Sequence, residues 1–344
     1  MGKMGNIAKG SFRLLRGPCI ALVSLQVLLP AMLAAGPELA SPLAGLPIGD
    51  SVPADPSASQ TTPDLVPSDA TLPPHSSRMP AERFPTDAAL DAWDFQLLPD
   101  GLIYRSYLAG MKEPRFAGMW VHDVDQGWLL EAALGGRMGV LRLGTTDARR
   151  PEGWEIDVEG AVFPRFDTTE DRNLVSADYR IGVPLTFGIG PFQTKLAWYH
   201  LSSHLGDEFM LAHSGAERIN YSRDAIVWGN SFYLTEDVRL YAEAEWAFYT
   251  DGGSEPWAFQ FGIDYSPAEP VGRLRGAPFV AVNAHLREEV DFAGNLVVQT
   301  GWQWRGQSGH LFRFGMQYFT GKSDQFEFFR RNEDRLGLGI WFDF

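Results

Sequence analysis

Cysteine is nearly absent: the 344 residues include one, Cys19. It lies in an apolar N-terminal segment, so loss of that segment would leave no thiol for a disulfide, a thiolate metal site or a cysteine nucleophile. Basic residues are scarce as well. Lys and Arg number 29 against 43 Asp and Glu, a formal charge of −14. That balance argues against nucleic acid as a partner, since phosphates need cations. Long apolar runs are missing beyond the N-terminus. With 45% hydrophobic residues and a mean hydropathy of −0.15, the chain has no room for a bundle of membrane helices, and only Pro18 to Ala35 is a candidate span. There is no phosphate-cradling glycine pattern, no His-Glu-x-x-His helix and no EF-hand loop.

What is present is aromatic and glycine-rich: Phe, Trp and Tyr make up 13%, and there are 36 glycines. That mixture suits aromatic girdles and tight turns. Lys3, Lys9, Arg13 and Arg16 precede an apolar run that ends in small residues. The pattern predicts a signal peptide over residues 1–35, with the mature chain beginning beyond Met32; a retained membrane anchor is the alternative. Cys19 stands at the head of the apolar segment, before the h-region that begins at Ile20, and follows Pro18, which does not fit a lipoprotein signal. Residues 36–92 are rich in Pro, Ser and Ala without apolar periodicity, and are read as a disordered linker. Residues 93–114 form a lead-in segment, and 115–344 the folded body.

The body alternates. Leu336, Leu338, Ile340, Phe342 and Phe344 share one face of a strand, with Gly337, Gly339, Trp341 and Asp343 on the other. A naked apolar strand ending on an aromatic residue suits a barrel wall in lipid better than the last strand of a soluble sandwich. Phe344 also looks like the signal by which outer-membrane barrels are passed to the β-barrel assembly machinery. Val238 to Phe248 and Trp257 to Tyr265 repeat the pattern, and Trp128 to Val140 holds one phase straight through Gly135-Gly136, predicting one long strand bent there. Further strands are expected near 116–120, 154–163, 173–187, 192–202, 217–233, 276–288, 294–305, 310–320 and 335–344. The total is about twelve, an even number. Glu243, Glu245, Asp264, Gln299, Gln303, Arg313 and Gln317 occupy the second face. In a dry sandwich core they would be ruinous, whereas a membrane barrel places them in a polar lumen.

The fold class expected is therefore all-β, a transmembrane antiparallel up-and-down barrel in the bacterial outer membrane, with lipid and lipopolysaccharide as surroundings. With the C-terminus at the periplasmic end, the long connections fall mostly outside the cell and the short ones inside. Lys322, Arg330 and Arg331 on one outer loop could pair with lipid phosphates. The lumen, with Arg239 and Arg313 beside its carboxylates, suits either a channel or a filled interior of paired charges. A structural or narrow transport role is the favoured reading.

The alternative is an enzyme. In Tyr199-His200-Leu201-Ser202-Ser203-His204-Leu205-Gly206-Asp207-Glu208, strand register puts His200 and Ser202 on one face. Phe192, Leu196 and Trp198 share that face, so the pair points to lipid at the external rim. A His two residues before a Ser, at that height and on that face, resembles the active site of outer-membrane phospholipase A. The resemblance implies a lipid acyl hydrolase with Ser202 as nucleophile and His200 as base. Where that family has Asn-Gly after the Ser, this chain has Ser203-His204, and no third member can be assigned from sequence. Asp207 or Glu208 could orient the imidazole if the loop folds back, or hold a calcium ion, a cofactor expected only under this hydrolase alternative. His200, His204, Asp207 and Glu208 could alternatively gather a divalent metal, although a four-residue spacing suits a helix better than a strand. The plain alternative is a polar rim beside a loop, without chemistry.

Five runs together identify a family. They are Leu98-Pro99-Asp100-Gly101-Leu102-Ile103-Tyr104-Arg105-Ser106-Tyr107-Leu108, Lys112-Glu113-Pro114-Arg115, Ser202 to Glu208, Tyr249-Thr250-Asp251-Gly252-Gly253 and Gln325-Phe326-Glu327-Phe328-Phe329. The chain resembles a bacterial family classed as domain of unknown function 1207. That resemblance implies an outer-membrane β-barrel and carries no activity.

Overall fold

A computed structural model describes residues 93–147, 149–169 and 173–344. The expected signal peptide and the linker through residue 92 lie outside the described residues. Alternation over long segments yields thirteen strands: β1 (Asp94–Leu97), β2 (Phe116–Asp123), β3 (Gly127–Gly144), β4 (Gly153–Asp167), β5 (Leu174–Ile189), β6 (Phe192–Leu205), β7 (Ser222–Tyr233), β8 (Val238–Asp251), β9 (Trp257–Tyr265), β10 (Ala277–Arg287), β11 (Gly294–Arg305), β12 (Leu311–Lys322) and β13 (Asn332–Asp343). One short helix, α1 (Asp207–Ala212), follows β6. No helix among the described residues is long and apolar enough to cross a membrane.

Each strand from β2 to β13 pairs antiparallel with the next, and β13 closes on β2 in the register Phe342↔Phe116 to Arg335↔Asp123. The result is the expected closed barrel of twelve strands, without a free edge. Outward residues are apolar and exposed, as in Leu336, Leu338 and Ile340, while Arg313, Gln317 and Trp341 from the opposite faces are buried. The β3 expectation holds: it runs as one strand through Gly135-Gly136. A Cβ on Gly135 would fall 2.0 Å from the Gly160 carbonyl, so only glycine permits that approach of β4. The irregularity in the β3–β4 ladder comes slightly later, between Gly139 and Leu141.

β1 is an addition to the expected set. β2 covers the upper half of β3, and β1 pairs with its lower end, Leu97↔Leu141 to Asp94↔Gly144. The chain then leaves the wall. Leu98 takes a left-handed φ of 51° and Gly101 one of 74°, and Arg142 donates to the carbonyls of Asp100 at 3.1 Å and Gly101 at 2.8 Å. Residues 98–115, most of them in the expected lead-in segment 93–114, pass through the lumen. Ile103, Tyr104, Tyr107 and Ala109 are completely buried there.

From the other end the β12–β13 connection folds inward, with Ser323 to Phe329 all buried. Its Phe326 stacks on Tyr221. The lumen thus holds a plug from one side and a lid from the other, and Lys112 of the plug reaches Asp178 of β5 at 2.7 Å and Asp324 of the lid at 3.5 Å.

Candidate active site

The ladder between β6 and β7 positions the site. Ser203 N–H donates to the Tyr221 carbonyl at 2.9 Å, so that pair is a hydrogen-bonded one. The alternate pairs Ser202↔Ser222 and His200↔Asp224 are then of the non-hydrogen-bonded kind. In such pairs the Cα atoms approach to about 4.5 Å and the side chains meet on one face. They do: His200 Nδ1 lies 3.1 Å from Asp224 Oδ1. That contact leaves Nε2 of the imidazole free for a second partner.

Ser202 stands two residues along the same outward face, opposite Ser222. Its hydroxyl makes no hydrogen bond to His200 in this structure, a contact that catalytic pairs often complete only with substrate in place. The surroundings are interfacial. Tyr179 of β5 is the cross-strand neighbour of Ser202, and Ile181 of His200. Tyr249 of β8 is the neighbour of Asp224. Toward the middle of the wall Ile226 and Trp246 are paired and exposed. Three polar side chains therefore sit between tyrosines at the edge of an apolar surface.

The other sequence-derived candidates do not join them. His204 lies on the same outward face of β6 but nearer the strand end, its ring 5.8 Å from that of Tyr179. β6 runs to Leu205, three residues past its expected end, so the chain does not curl after Ser203 and His204 stays in strand register. Asp207 and Glu208 begin α1 and are exposed. Asp207 is held by Arg218 at 2.5 Å. Among the described residues no three metal-ligating side chains gather at one point. The carboxylate that meets the imidazole is Asp224, 24 residues along the chain from His200. A signal for it existed in the sequence: Asp224 occupies the phase of Ile226, Trp228 and Phe232, and a carboxylate on a lipid-facing phase is costly unless it has a task.

The inner face of the same strands belongs to the lid. Ser203 Oγ donates to Asp178, and Glu327 N–H donates back to Ser203 Oγ at 3.0 Å. The Glu327 carboxylate accepts the N–H groups of Ile219 at 3.0 Å and Asn220 at 2.9 Å, just before β7. Burial pushes the Glu327 carboxyl up, against those two backbone donors. Asp324 is moved the other way. Burial opposes its charge, but Arg335, Lys112 and Arg165 outweigh that and hold it well below the usual carboxylate range.

The lumen is filled by paired charges. Arg137 meets Asp157 at 2.5 Å, Arg142 meets Glu155 at 2.5 Å, Arg239 meets Asp264 at 2.7 Å, and Arg313 meets Asp343 at 2.7 Å. Several of the same arginines hold the plug. Arg239 donates to the Ser106 carbonyl at 2.7 Å, and Arg313 to that of Leu108 at 3.1 Å. Tyr107 stacks on Tyr241 and donates to Glu243 at 2.8 Å. Glu243, Glu245, Asp264, Arg239 and Arg313, the residues expected to line the lumen, all face it.

Comparison with known proteins agrees with the architecture. The profile of a family described as "Protein of unknown function (DUF1207)" matches residues 41–344. A search of curated proteins finds no match. Among solved structures, the Salmonella typhi outer membrane phospholipase dimer with bound calcium superposes with a TM-score of 0.47 at 9% identity, covering 70% of this chain and 91% of the other. Outer membrane phospholipase A from Escherichia coli gives 0.44 at 10%, covering 67% and 89%. The KdgM porin gives 0.38 at 10%, covering 66% and 99%. Likeness at this level concerns the barrel fold and bears on no activity.

Proposed function

The chain belongs to the DUF1207 family and is an outer-membrane β-barrel, and from its geometry we propose that it is a sealed barrel bearing a lipid acyl hydrolase on its outward face. The observation that carries the reading is the 3.1 Å contact of His200 with Asp224, on the face and strand of Ser202. Asp224 holds the imidazole by Nδ1 and presents Nε2 to the serine. Ser202 Oγ attacks the ester carbonyl while its proton passes to Nε2. The tetrahedral adduct collapses as Nε2 returns the proton to the leaving alcohol, and water releases the acyl group by the same steps in reverse order. Tyr179 and Tyr249 set the depth at which an ester of a membrane lipid lies, and the wall near Ile226 and Trp246 faces its acyl chains.

The test is acyl release from mixed micelles of phospholipid or lipopolysaccharide, with and without calcium, by the wild type and by Ser202→Ala and His200→Ala. Release abolished in both variants, with heat-modifiable electrophoretic mobility retained, is the expected result. Release undiminished in Ser202→Ala, or none from the wild type under any condition, ends the proposal. A structural barrel is the second reading, favoured by the filled lumen. A narrow transport role would require the plug or the lid to move.

A further inference from the structure

At the end of the barrel where β13 finishes, expected to face the periplasm, arginines from separate parts of the chain meet around Tyr233 of β7. Arg105 comes from the plug, Arg150 from the turn between β3 and β4, and Arg305 from the end of β11. All are half-buried, as is Tyr233. The Arg150 guanidinium lies over the Tyr233 ring, 4.3 Å from its centre. The charged groups that act most strongly on the Tyr233 hydroxyl are Arg239, Arg105, Arg150 and Arg305.

Carboxylates do not balance this cluster. Arg239 has Asp264 at 2.7 Å. Among the described residues no carboxylate comes within ion-pairing distance of Arg105, Arg150 or Arg305. Asp343, the acid that acts on Arg305, is already held by Arg313 at 2.7 Å and Arg115 at 2.9 Å. Asp147, the acid that acts on Arg105, is exposed and accepts the Arg149 N–H at 2.8 Å. The arginines themselves donate to neutral carbonyls: Arg105 to that of Arg149, Arg150 to that of Glu236 at 2.8 Å, and Arg305 to that of Ser266 at 3.3 Å. Arg305 Nε is buried without a partner among the described residues.

Like charges drawn together from distant segments repel, the more so where solvent is partly excluded. Water hydrates their N–H groups but brings no charge; an anion removes the repulsion. Guanidinium forks match phosphate oxygens two at a time, and a tetrahedral phosphate serves forks arriving from several sides, where a planar carboxylate serves fewer. We propose that Arg105, Arg150 and Arg305 form an anion site at the periplasmic mouth that takes a phosphate group, from a free phosphate compound or a lipid headgroup, and that the bound phosphate ties the plug to the wall. The site lies at the opposite end of the barrel from Ser202 and His200 and does not depend on their chemistry.

The test is isothermal titration of the folded wild-type protein in a non-ionic, phosphate-free detergent at low ionic strength, with inorganic phosphate and, as a control, acetate. Saturable binding of phosphate is expected, weakened by about tenfold or more in Arg150→Gln and in Arg305→Gln. Arg150 stands on a turn, so its replacement spares the wall and still decides the matter should Arg305→Gln fail to fold. No saturable binding of phosphate by the wild type, acetate bound as tightly, or an affinity undiminished in Arg150→Gln overturns the proposal. Repeating the titration in nanodiscs containing phosphatidylglycerol distinguishes the sources. Phosphate binding lost there supports the site with a lipid headgroup as its occupant, and binding retained supports it with a free phosphate compound.

Discussion

Asp224 is the residue on which the enzymatic reading turns, and its contribution is separable from those of Ser202 and His200. Replacing it with Ala frees the imidazole and removes the charge that stabilises its protonated form. Acyl turnover should then fall by about 100-fold or more with KM nearly unchanged, and Asp224→Asn should not restore it, because an amide can hold the ring in the tautomer that leaves Nε2 without its lone pair. Equal activity of wild type and Asp224→Ala in a kinetic assay would remove Asp224 from the mechanism. Inside the barrel the sensitive residue is Arg165. It binds Glu333 at 2.7 Å and Glu131 at 2.7 Å, and reaches Asp324 at 3.2 Å, while Arg335 joins both Glu131 and Asp324. Arg165→Ala leaves three buried carboxylates to Arg335, with Lys112 helping only at Asp324. The expected loss is about 3–5 kcal/mol, read from urea unfolding of the folded barrel in lipid vesicles.

Among the elements, the lid is the one that pH should move. Asp324 has its charged form favoured in the fold, by Arg335, Lys112 and Arg165, with Asp178, Glu131 and Glu333 as like-charged neighbours in the same network. A depressed carboxyl contributes stability that is present above its unfolded pKa, about 3.9, and is lost as pH falls through the folded value. Glu327 is shifted upward by burial, so its protonation on mild acidification relieves a cost and acts in the opposite direction. Hydrogen exchange at Phe326 to Phe329 should therefore stay slow, or become slower, down to about pH 4, and accelerate below it. In Asp324→Asn the acid limb should disappear; an acid limb unchanged in that variant would assign it elsewhere. The plug was foreshadowed by its own composition. Leu102-Ile103-Tyr104 and Tyr107-Leu108 are apolar without a strand period, which marks burial but does not say in what.

For the whole molecule, a lumen occupied from both ends predicts no steady conduction. Planar bilayers carrying the wild-type protein should show no stable single-channel steps. Deletion of residues 99–114 should produce them, because the plug holds the centre through Arg239, Arg313 and Tyr107. Stable steps from the wild type would mean that plug and lid leave their seats in a membrane. The barrel itself should give heat-modifiable mobility on electrophoresis of the membrane fraction, as closed outer-membrane barrels do.

The architecture was legible in the sequence because it rests on a local rule. A strand in a lipid-facing wall must alternate, so twelve strands, their polar inner face and the long β3 could be read from period two alone. His200 and Ser202 were legible for the same reason, being two residues apart on one strand. Tertiary structure decided what depends on register between segments distant in the chain. Asp224 meets His200 only because β7 pairs with β6 at that offset, and a slip of one residue would turn Asp224 into the lumen. The inward course of residues 98–115 and of the lid was likewise not local. It follows from the volume that a ring of twelve strands encloses, and from the arginines that the far walls bring within reach of backbone carbonyls no strand had paired.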